Sequence, residues 1–200
     1  MTPKQAERLR QKITAIRRVL AAEKKKFGAF DDSRGMRYFP ARYYVQLGDF
    51  KGGLTYLRWF QRNFPDDAGF PDFLFEWTLI LFQNRKLQDA AQKAMETYRA
   101  DIHLLDAFLG RPGTPVEPWE QVMLDAEAYS SYFAALGEQS DLTAFTEWLS
   151  MLTLSEAFLA NSSQFLDIHR QLHGETDPAR RHFLVQQLYP VRDTNTGTQP

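Results

Sequence analysis

Two histidines, His169 and His173, stand four residues apart, with Asp167 close by. Residues four apart share one face of a helix, so both imidazoles could reach a divalent metal ion. A metal site needs a third ligand as well, and no glutamate stands between the histidines as it does in zinc proteases. Histidines also suit a helix C-terminus, where the helix dipole favours positive charge. We therefore predict no metal and no other cofactor; a helical-bundle metal protein or enzyme that uses this pair is the alternative.

Carboxylates are the second candidate for chemistry. Glu76 interrupts an apolar run over residues 73–82, and burial there would raise its pKa toward the range of a general acid or base. A position on the wet edge of a helix is the simpler interpretation of this lone side chain. Glu120, Asp125 and Glu127 form an acidic stretch, but the Glu-x-x-His motif of di-iron bundles is absent from the sequence.

The sequence lacks the motifs of nucleophilic and phosphate chemistry. The serine pairs at 130–131 and 162–163 have no nucleophile-elbow context, and the glycines at 52–53 are not followed by the Lys-Ser/Thr of a phosphate loop. The absence of cysteine excludes disulfides and thiol catalysis. We predict no catalytic residue and favour a non-catalytic protein over an enzyme.

Charge is distributed unevenly along the 200 residues, although the net charge is only −1. Residues 1–29 carry nine Lys and Arg against two Glu, whereas residues 101–160 carry ten acids against Arg111 alone. The small net charge argues against a globally basic nucleic-acid-binding protein. The two charged segments could attract each other within one molecule, between copies, or in partners.

Apolar residues recur at three- and four-residue intervals through most of the chain, which predicts an all-α fold. The run over residues 71–82 is apolar nearly all round, so a buried strand is an alternative there. Residues 111–118, rich in Pro and Gly, predict a loop, and the polar residues 190–200 predict a flexible tail. The predicted helices cover residues 3–27, 36–47, 50–64, 71–82, 87–100, 101–109, 119–136, 141–152, 154–172 and 178–189.

One predicted helical hairpin, residues 38–67, resembles a tetratricopeptide repeat. The order is small, aromatic, small, large apolar and proline, carried by Ala41, Tyr44, Gly53, Leu57 and Pro65. Small residues let two helices approach closely, large ones fill the space beside them, and proline ends the second helix. A weaker copy follows about 37 residues on, with Thr78, Leu81, Ala90 and Ala94 at matching places. The resemblance spans about residues 36–100; a generic bundle of helical hairpins is the alternative.

The resemblance implies a concave groove, lined by the first helix of each hairpin, that holds a peptide or partner protein. It lacks the Lys and Asn that members of this family use to clamp a C-terminal carboxylate. Carried onto matching positions, the predicted groove residues are Tyr38, Arg42, Gln46, Asp72, Phe75, Leu79 and Gln83. Arrays of this kind need three or more repeats, so the later helices or a partner must complete the array.

The basic helix has three interpretations. Its stripe of Leu9, Ile13, Ile16 and Leu20 could pack on the body or form a homodimer through residues 4–27, which we favour because packing needs nothing further. Binding of nucleic acid is disfavoured, since the rest of the chain is acidic. Binding to a membrane is also disfavoured, because the stripe carries no aromatic residue before Phe27.

Together these patterns predict three segments. Residues 1–29 form a basic amphipathic helix, residues 30–189 a single helical domain with an acidic part over 101–189, and residues 190–200 a tail. No apolar stretch resembles a signal peptide or a membrane span. We expect a cytoplasmic adaptor that binds a protein or peptide.

Overall fold

The computed structural model describes residues 1–30, 32–112, 126–137 and 142–188. These residues form ten α-helices and a short 3₁₀ helix, Met36–Tyr38, with no β-strand among them, so the predicted all-α class is confirmed. Three predicted parts lie outside the described residues: the loop beyond residue 112, the part of the predicted helix 119–136 before residue 126, and the tail over residues 190–200. The helices are α1 (Pro3–Phe27), α2 (Phe39–Leu47), α3 (Phe50–Asn63), α4 (Pro71–Gln83), α5 (Leu87–Ala100), α6 (Leu104–Phe108), α7 (Ala126–Gly137), α8 (Thr143–Thr153), α9 (Glu156–Gly174) and α10 (Pro178–Leu188).

Helix α1 begins and ends where its sequence signals predict. The Thr2 hydroxyl accepts a hydrogen bond from the Gln5 amide, and the Gln5 side chain accepts one from the Thr2 amide at 2.7 Å. This reciprocal pair satisfies amide groups that have no partner inside the helix. Gly28 ends the helix in the left-handed conformation, with φ 73°, which glycine adopts without steric cost.

The chain forms two compact units, Met1–Leu152 and Thr153–Pro200. In the second unit, α9 packs against α10, and Phe165 of α9 and Leu184 of α10 are buried. The Arg181 guanidinium donates to the carbonyl oxygens of Leu172 and Glu175, both at 2.8 Å, and so closes the turn between these helices. The division at Leu152 differs from the single segment 30–189 expected from the sequence, which carries no Pro- or Gly-rich linker there.

Helix α4 is the centre of the first unit. Every residue from Phe73 to Leu81 is buried, and α2, α3 and α5 all pack against this helix. Its apolar character all round therefore reflects a helix covered on every side, and the strand alternative is wrong. Thr78 fits among these apolar residues because its hydroxyl donates to the Leu74 carbonyl oxygen at 2.9 Å.

Gly53 lies where α3 meets both α2 and α4. A β-carbon at this position would stand 3.0 Å from Ile80 Cδ1 and 3.2 Å from Tyr44 Cβ. Only glycine therefore fits without displacing a neighbour. Ala41 and Ala90, two further small residues of the pattern, are completely buried.

We expect Gly53→Leu to lower the free energy of unfolding by about 2 kcal/mol, because the added side chain overpacks the contact of α3 with α2 and α4. Gly174→Leu is the matched control, since no atom lies within 4 Å of a β-carbon at that position. Urea unfolding followed by circular dichroism measures both variants. Equal stability of the two would contradict the close approach at Gly53.

Candidate binding pocket

A pocket of about 470 Å³ opens beside the N-terminal ends of α2 and α4 and one face of α7. Half of its lining residues are aromatic, and its charged groups are two arginines and one carboxylate. Phe39 and Phe70 on its wall remain 42% and 58% exposed, although large apolar side chains are usually buried. The lining residues are Arg34, Gly35, Tyr38, Phe39, Arg42, Phe70, Pro71, Asp72, Tyr129 and Tyr132.

Arg42 connects the pocket to a buried carboxylate behind it. Its guanidinium donates through Nε to Glu76 Oε1 at 2.8 Å and through Nη2 to the carboxylate of Asp72. The Tyr132 hydroxyl donates to the same Glu76 oxygen at 2.8 Å, and the Arg42 guanidinium lies 4.7 Å from the centre of the Tyr132 ring. The Glu76 carboxylate thus binds side chains from both α2 and α7. These bonds fix Arg42 and Tyr132 in the wall of the pocket.

Burial controls the ionisation of Glu76, whose residue is only 1% exposed. Removal from water raises the pKa of this carboxyl to about 7, and the opposing effects of Arg42 and Tyr132 offset only part of that rise. The Glu76 charge in turn holds the pKa of Arg42 above its ordinary value, although burial lowers it. The expectation that Glu76 lies on a wet helix edge is wrong, because its helix has no exposed face over residues 73–81.

Two tyrosines of α7 anchor that helix and complete the pocket. Tyr132 binds Glu76, and the Tyr129 hydroxyl donates to Asp101 Oδ2 at 2.5 Å. Asp101 is also buried, and it accepts a second hydrogen bond from the His103 amide at 2.9 Å. Burial and the hydrogen bond to Asp101 raise the pKa of Tyr129 above its ordinary value, so the phenol stays protonated and keeps its donor.

Tyr38 is held in the pocket wall by a second polar network. Its hydroxyl donates to the Asp67 carboxylate at 2.8 Å and accepts a hydrogen bond from Arg37, whose Nε lies 2.7 Å from the same carboxylate. Burial, together with the charge of Asp67, raises the pKa of Tyr38 to about 12. Asp32 accepts hydrogen bonds from the amides of Met36 and Arg37, next to Tyr38 in the chain. Because of its raised pKa and its bonds to Asp67 and Arg37, the Tyr38 phenol remains a fixed, neutral hydrogen-bonding group.

The predicted groove residues occupy three different environments. Tyr38, Arg42 and Asp72 lie together in the pocket, whereas Gln46 and Gln83 are half-buried outside its lining. Phe75 and Leu79 are completely buried, so they lie in the core and not on an open groove.

The chain's own later helices cover the part of the groove that α4 would line. The Phe75 ring lies 4.9 Å from Phe108 of α6, 5.2 Å from Phe133 of α7 and 5.8 Å from Phe145 of α8. Seven lining residues were not among the predicted groove residues: Arg34, Gly35, Phe39, Phe70, Pro71, Tyr129 and Tyr132. For Phe70 and Pro71 the sequence signal was a phenylalanine and a proline at the start of an apolar helix.

The histidine pair lies in the second unit. His169 packs on the Phe165 ring at 4.5 Å, and His173 is exposed in the last turn of α9. Over the part of the chain that the structure describes, no three His, Asp or Glu side chains converge as metal ligands would. None of the described helices combines the length and the apolar character needed to cross a bilayer.

Comparison with known proteins adds no relative. No protein-family model matches the sequence, and neither the curated proteins nor the solved structures give a significant match. The pocket and the surfaces of this chain are therefore the features that point to its function.

We expect the stability of the protein to fall as the pH rises from 5 to 8. Glu76 has an ordinary pKa of 4.5 and a folded-state pKa of about 7, so the native state binds the extra proton between these values. The loss amounts to as much as about 3 kcal/mol.

Urea unfolding of the wild type and of Glu76→Gln at pH 5, 6, 7 and 8 measures this effect. The amide cannot ionise, so the difference in free energy of unfolding between the two proteins should change across this range. A constant difference would show that Glu76 does not exchange a proton near neutral pH.

Proposed function

We propose that this protein is a non-catalytic helical scaffold, similar to tetratricopeptide-repeat proteins, that binds a short peptide segment of a partner protein. The observation that carries the proposal is the aromatic pocket, which brings together Tyr38, Arg42 and Asp72, three residues expected in the groove of such an array. The proposal includes a cytoplasmic location, which the cysteine-free sequence permits.

The packing of the first four hairpin helices supports the repeat-like arrangement. Helix α2 packs on α3 and on α4, α3 packs on α4, and α4 packs on α5, so neighbouring hairpins share contacts as repeats do. The Asn84 side chain donates to the Phe50 carbonyl oxygen at 2.8 Å, and Arg42 binds Glu76. Both hydrogen bonds join the first hairpin to the second.

The pocket wall favours recognition over catalysis. Aromatic side chains and arginine dominate the binding energy at protein interfaces, because they bury a large area and also offer polar contacts. The carboxylate that is the candidate for chemistry here is engaged: Glu76 binds Arg42 and Tyr132, and it lies behind the lining and not in it. A substrate in the pocket would therefore meet the Arg42 and Tyr132 side chains before the carboxylate.

The volume and charge of the pocket define the segment that fits. A space of about 470 Å³ is within the range of pockets that enclose small ligands, and it holds one or two large side chains. Arg42 is balanced by Asp72 and Glu76, whereas Arg34 is exposed at the rim. We therefore expect an apolar or aromatic anchor residue followed by a carboxylate that reaches Arg34.

Selection of random twelve-residue peptides on the whole chain tests this function. We expect the enriched peptides to carry an aromatic or large aliphatic residue next to an acidic one. Their affinity, measured by fluorescence polarisation, should fall at least tenfold in Phe70→Glu and in Phe39→Glu, because each variant removes an apolar contact and places a carboxylate in the pocket.

Phe27→Glu is the matched control, because Phe27 is 60% exposed and lies on α1 outside the pocket. Peptides that bind Phe27→Glu as the wild type does, and that lose affinity for Phe70→Glu, would support the proposal. Failure to enrich any peptide, or equal losses in all three variants, would overturn it.

A further inference from the structure

Helices α1 and α3 form a basic surface on the first unit, which we call the α1–α3 face. All nine Lys and Arg residues of α1 are exposed. Helix α3 contributes Lys51, Arg58 and Arg62, which are also exposed, and it contains no acidic residue. The basic residues of α1 are Lys4, Arg8, Arg10, Lys12, Arg17, Arg18, Lys24, Lys25 and Lys26.

The two helices run side by side in the same direction. Near the start of α3, Arg10 and Arg17 line a cleft together with Asp49, the residue that caps α3. Near its end, the Lys24 ammonium donates to Asn63 Oδ1 at 2.8 Å. Arg10, Arg17 and Lys24 therefore lie on the side of α1 next to α3, whose own cations Lys51, Arg58 and Arg62 are exposed.

The positive charges on this face are regularly spaced. Arg10, Arg17 and Lys24 follow one another at intervals of seven residues, which is two helical turns or about 10.5 Å. Lys51 and Arg58 on α3 are also seven residues apart. Two rows of cations with this spacing match a partner whose negative charges repeat along a line.

The acidic groups on this face are few. Helix α1 itself carries Glu7, which lies 3.8 Å from Arg10, and Glu23, which is half-buried. Asp49 lines the cleft, and its carboxylate accepts the hydrogen bond of the Gly52 amide at 2.9 Å and so caps α3. The cleft has a volume of about 410 Å³ and holds two arginines, Arg10 and Arg17, on one wall. Positive charge is therefore in excess both in the cleft and along the face.

The apolar stripe of α1 distinguishes between two anionic partners. A helix that lies on a membrane inserts an apolar face among the lipids, but Ile13 and Leu20 are buried where α1 packs on α2. Nucleic acid needs no apolar face, because its phosphates supply a regular line of charge, about 3.4 Å apart along each strand. Helix α1, 25 residues and about 37 Å long, would follow about eleven nucleotides.

We propose that the α1–α3 face binds the phosphate backbone of nucleic acid without reading its sequence, with a phosphate held between Arg10 and Arg17. From the sequence, nucleic acid is disfavoured as a partner because the charge of α1 alone is compared with the net negative charge of the rest of the chain. The structure adds the cations of α3 to those of α1 on one surface.

Fluorescence anisotropy with a labelled 20-base-pair DNA duplex and a 20-nucleotide single-stranded RNA tests the proposal on the whole chain. We expect micromolar dissociation constants at 50 mM salt and a loss of about 100-fold in affinity on raising the salt to 200 mM, as four phosphate contacts would give. Arg17→Gln should lower the slope of log affinity against log salt by about one.

Two matched controls separate a local contact from a general effect of charge. Lys86→Gln removes one positive charge near Asp89 at the start of α5, and the double variant Lys86→Gln/Arg180→Gln matches Arg58→Gln/Arg62→Gln. We expect the controls to bind as the wild type does and the face variants to lose affinity at least tenfold, with unchanged circular dichroism.

Several outcomes would overturn the proposal. Absence of binding at 50 mM salt, or equal losses in the face and control variants, would remove a specific face. Polyglutamate that competes as well as DNA of equal charge would assign the face to an acidic protein. Vesicles containing phosphatidylserine that bind more tightly than either nucleic acid, with the same loss in Arg17→Gln, would assign it to a membrane surface.

Discussion

A carboxylate inside an apolar helix is the constraint on which the first unit depends. Glu76 is surrounded by buried residues of α4, and a buried acid without partners would be costly in either protonation state. Arg42 comes from α2 and Tyr132 from α7 to satisfy it. The need of Glu76 for hydrogen-bond partners therefore sets the positions of α2, α4 and α7. Removal of Arg42 would leave Glu76 and Tyr132 imperfectly paired, and removal of Tyr132 would leave Glu76 and Arg42 so.

The pocket is a consequence of this arrangement. Because Arg42 and Tyr132 turn toward Glu76, their outer surfaces become the floor and wall of the space that Phe39 and Phe70 border. The aromatic rings are held by packing, as Tyr38 lies 4.9 Å from Phe70 and 5.1 Å from Phe73. A binding wall that is already fixed loses little conformational entropy when a ligand enters.

Local sequence signals were sufficient for the helices and insufficient for their tertiary neighbours. Thr2, Gly28 and Pro71 stand at or next to helix ends, and the structure places boundaries beside each of them. Glu76 could be placed either in the core or at a wet edge, since an isolated helix of this composition does not reveal what covers it. The assignment of Phe75 and Leu79 to an open groove failed for the same reason, because both are buried in the assembled fold. Phe75 is covered by α6 to α8, which belong to later segments with no repeat pattern.

The pocket residues show the same division between local and distant information. Tyr38, Arg42 and Asp72 were identified by position within a hairpin pattern, which depends only on nearby spacing. Tyr129 and Tyr132 could not be identified, because their partners Asp101 and Glu76 are 28 and 56 residues away and no sequence rule pairs them. Hydrogen bonds between distant segments depend on the assembled fold, whereas helix ends depend on a few adjacent residues.

The anchoring of α7 also bears on the order in which this chain gains its shape. Contacts among α2 to α5 join helices that are adjacent or nearly adjacent in sequence, and contacts of short range form quickly during folding. The Tyr132–Glu76 hydrogen bond closes a much longer segment of chain. A molecule that has assembled only its hairpins has Arg42 and Asp72 in place but lacks one wall of the pocket, so the pocket exists only in the completely folded protein.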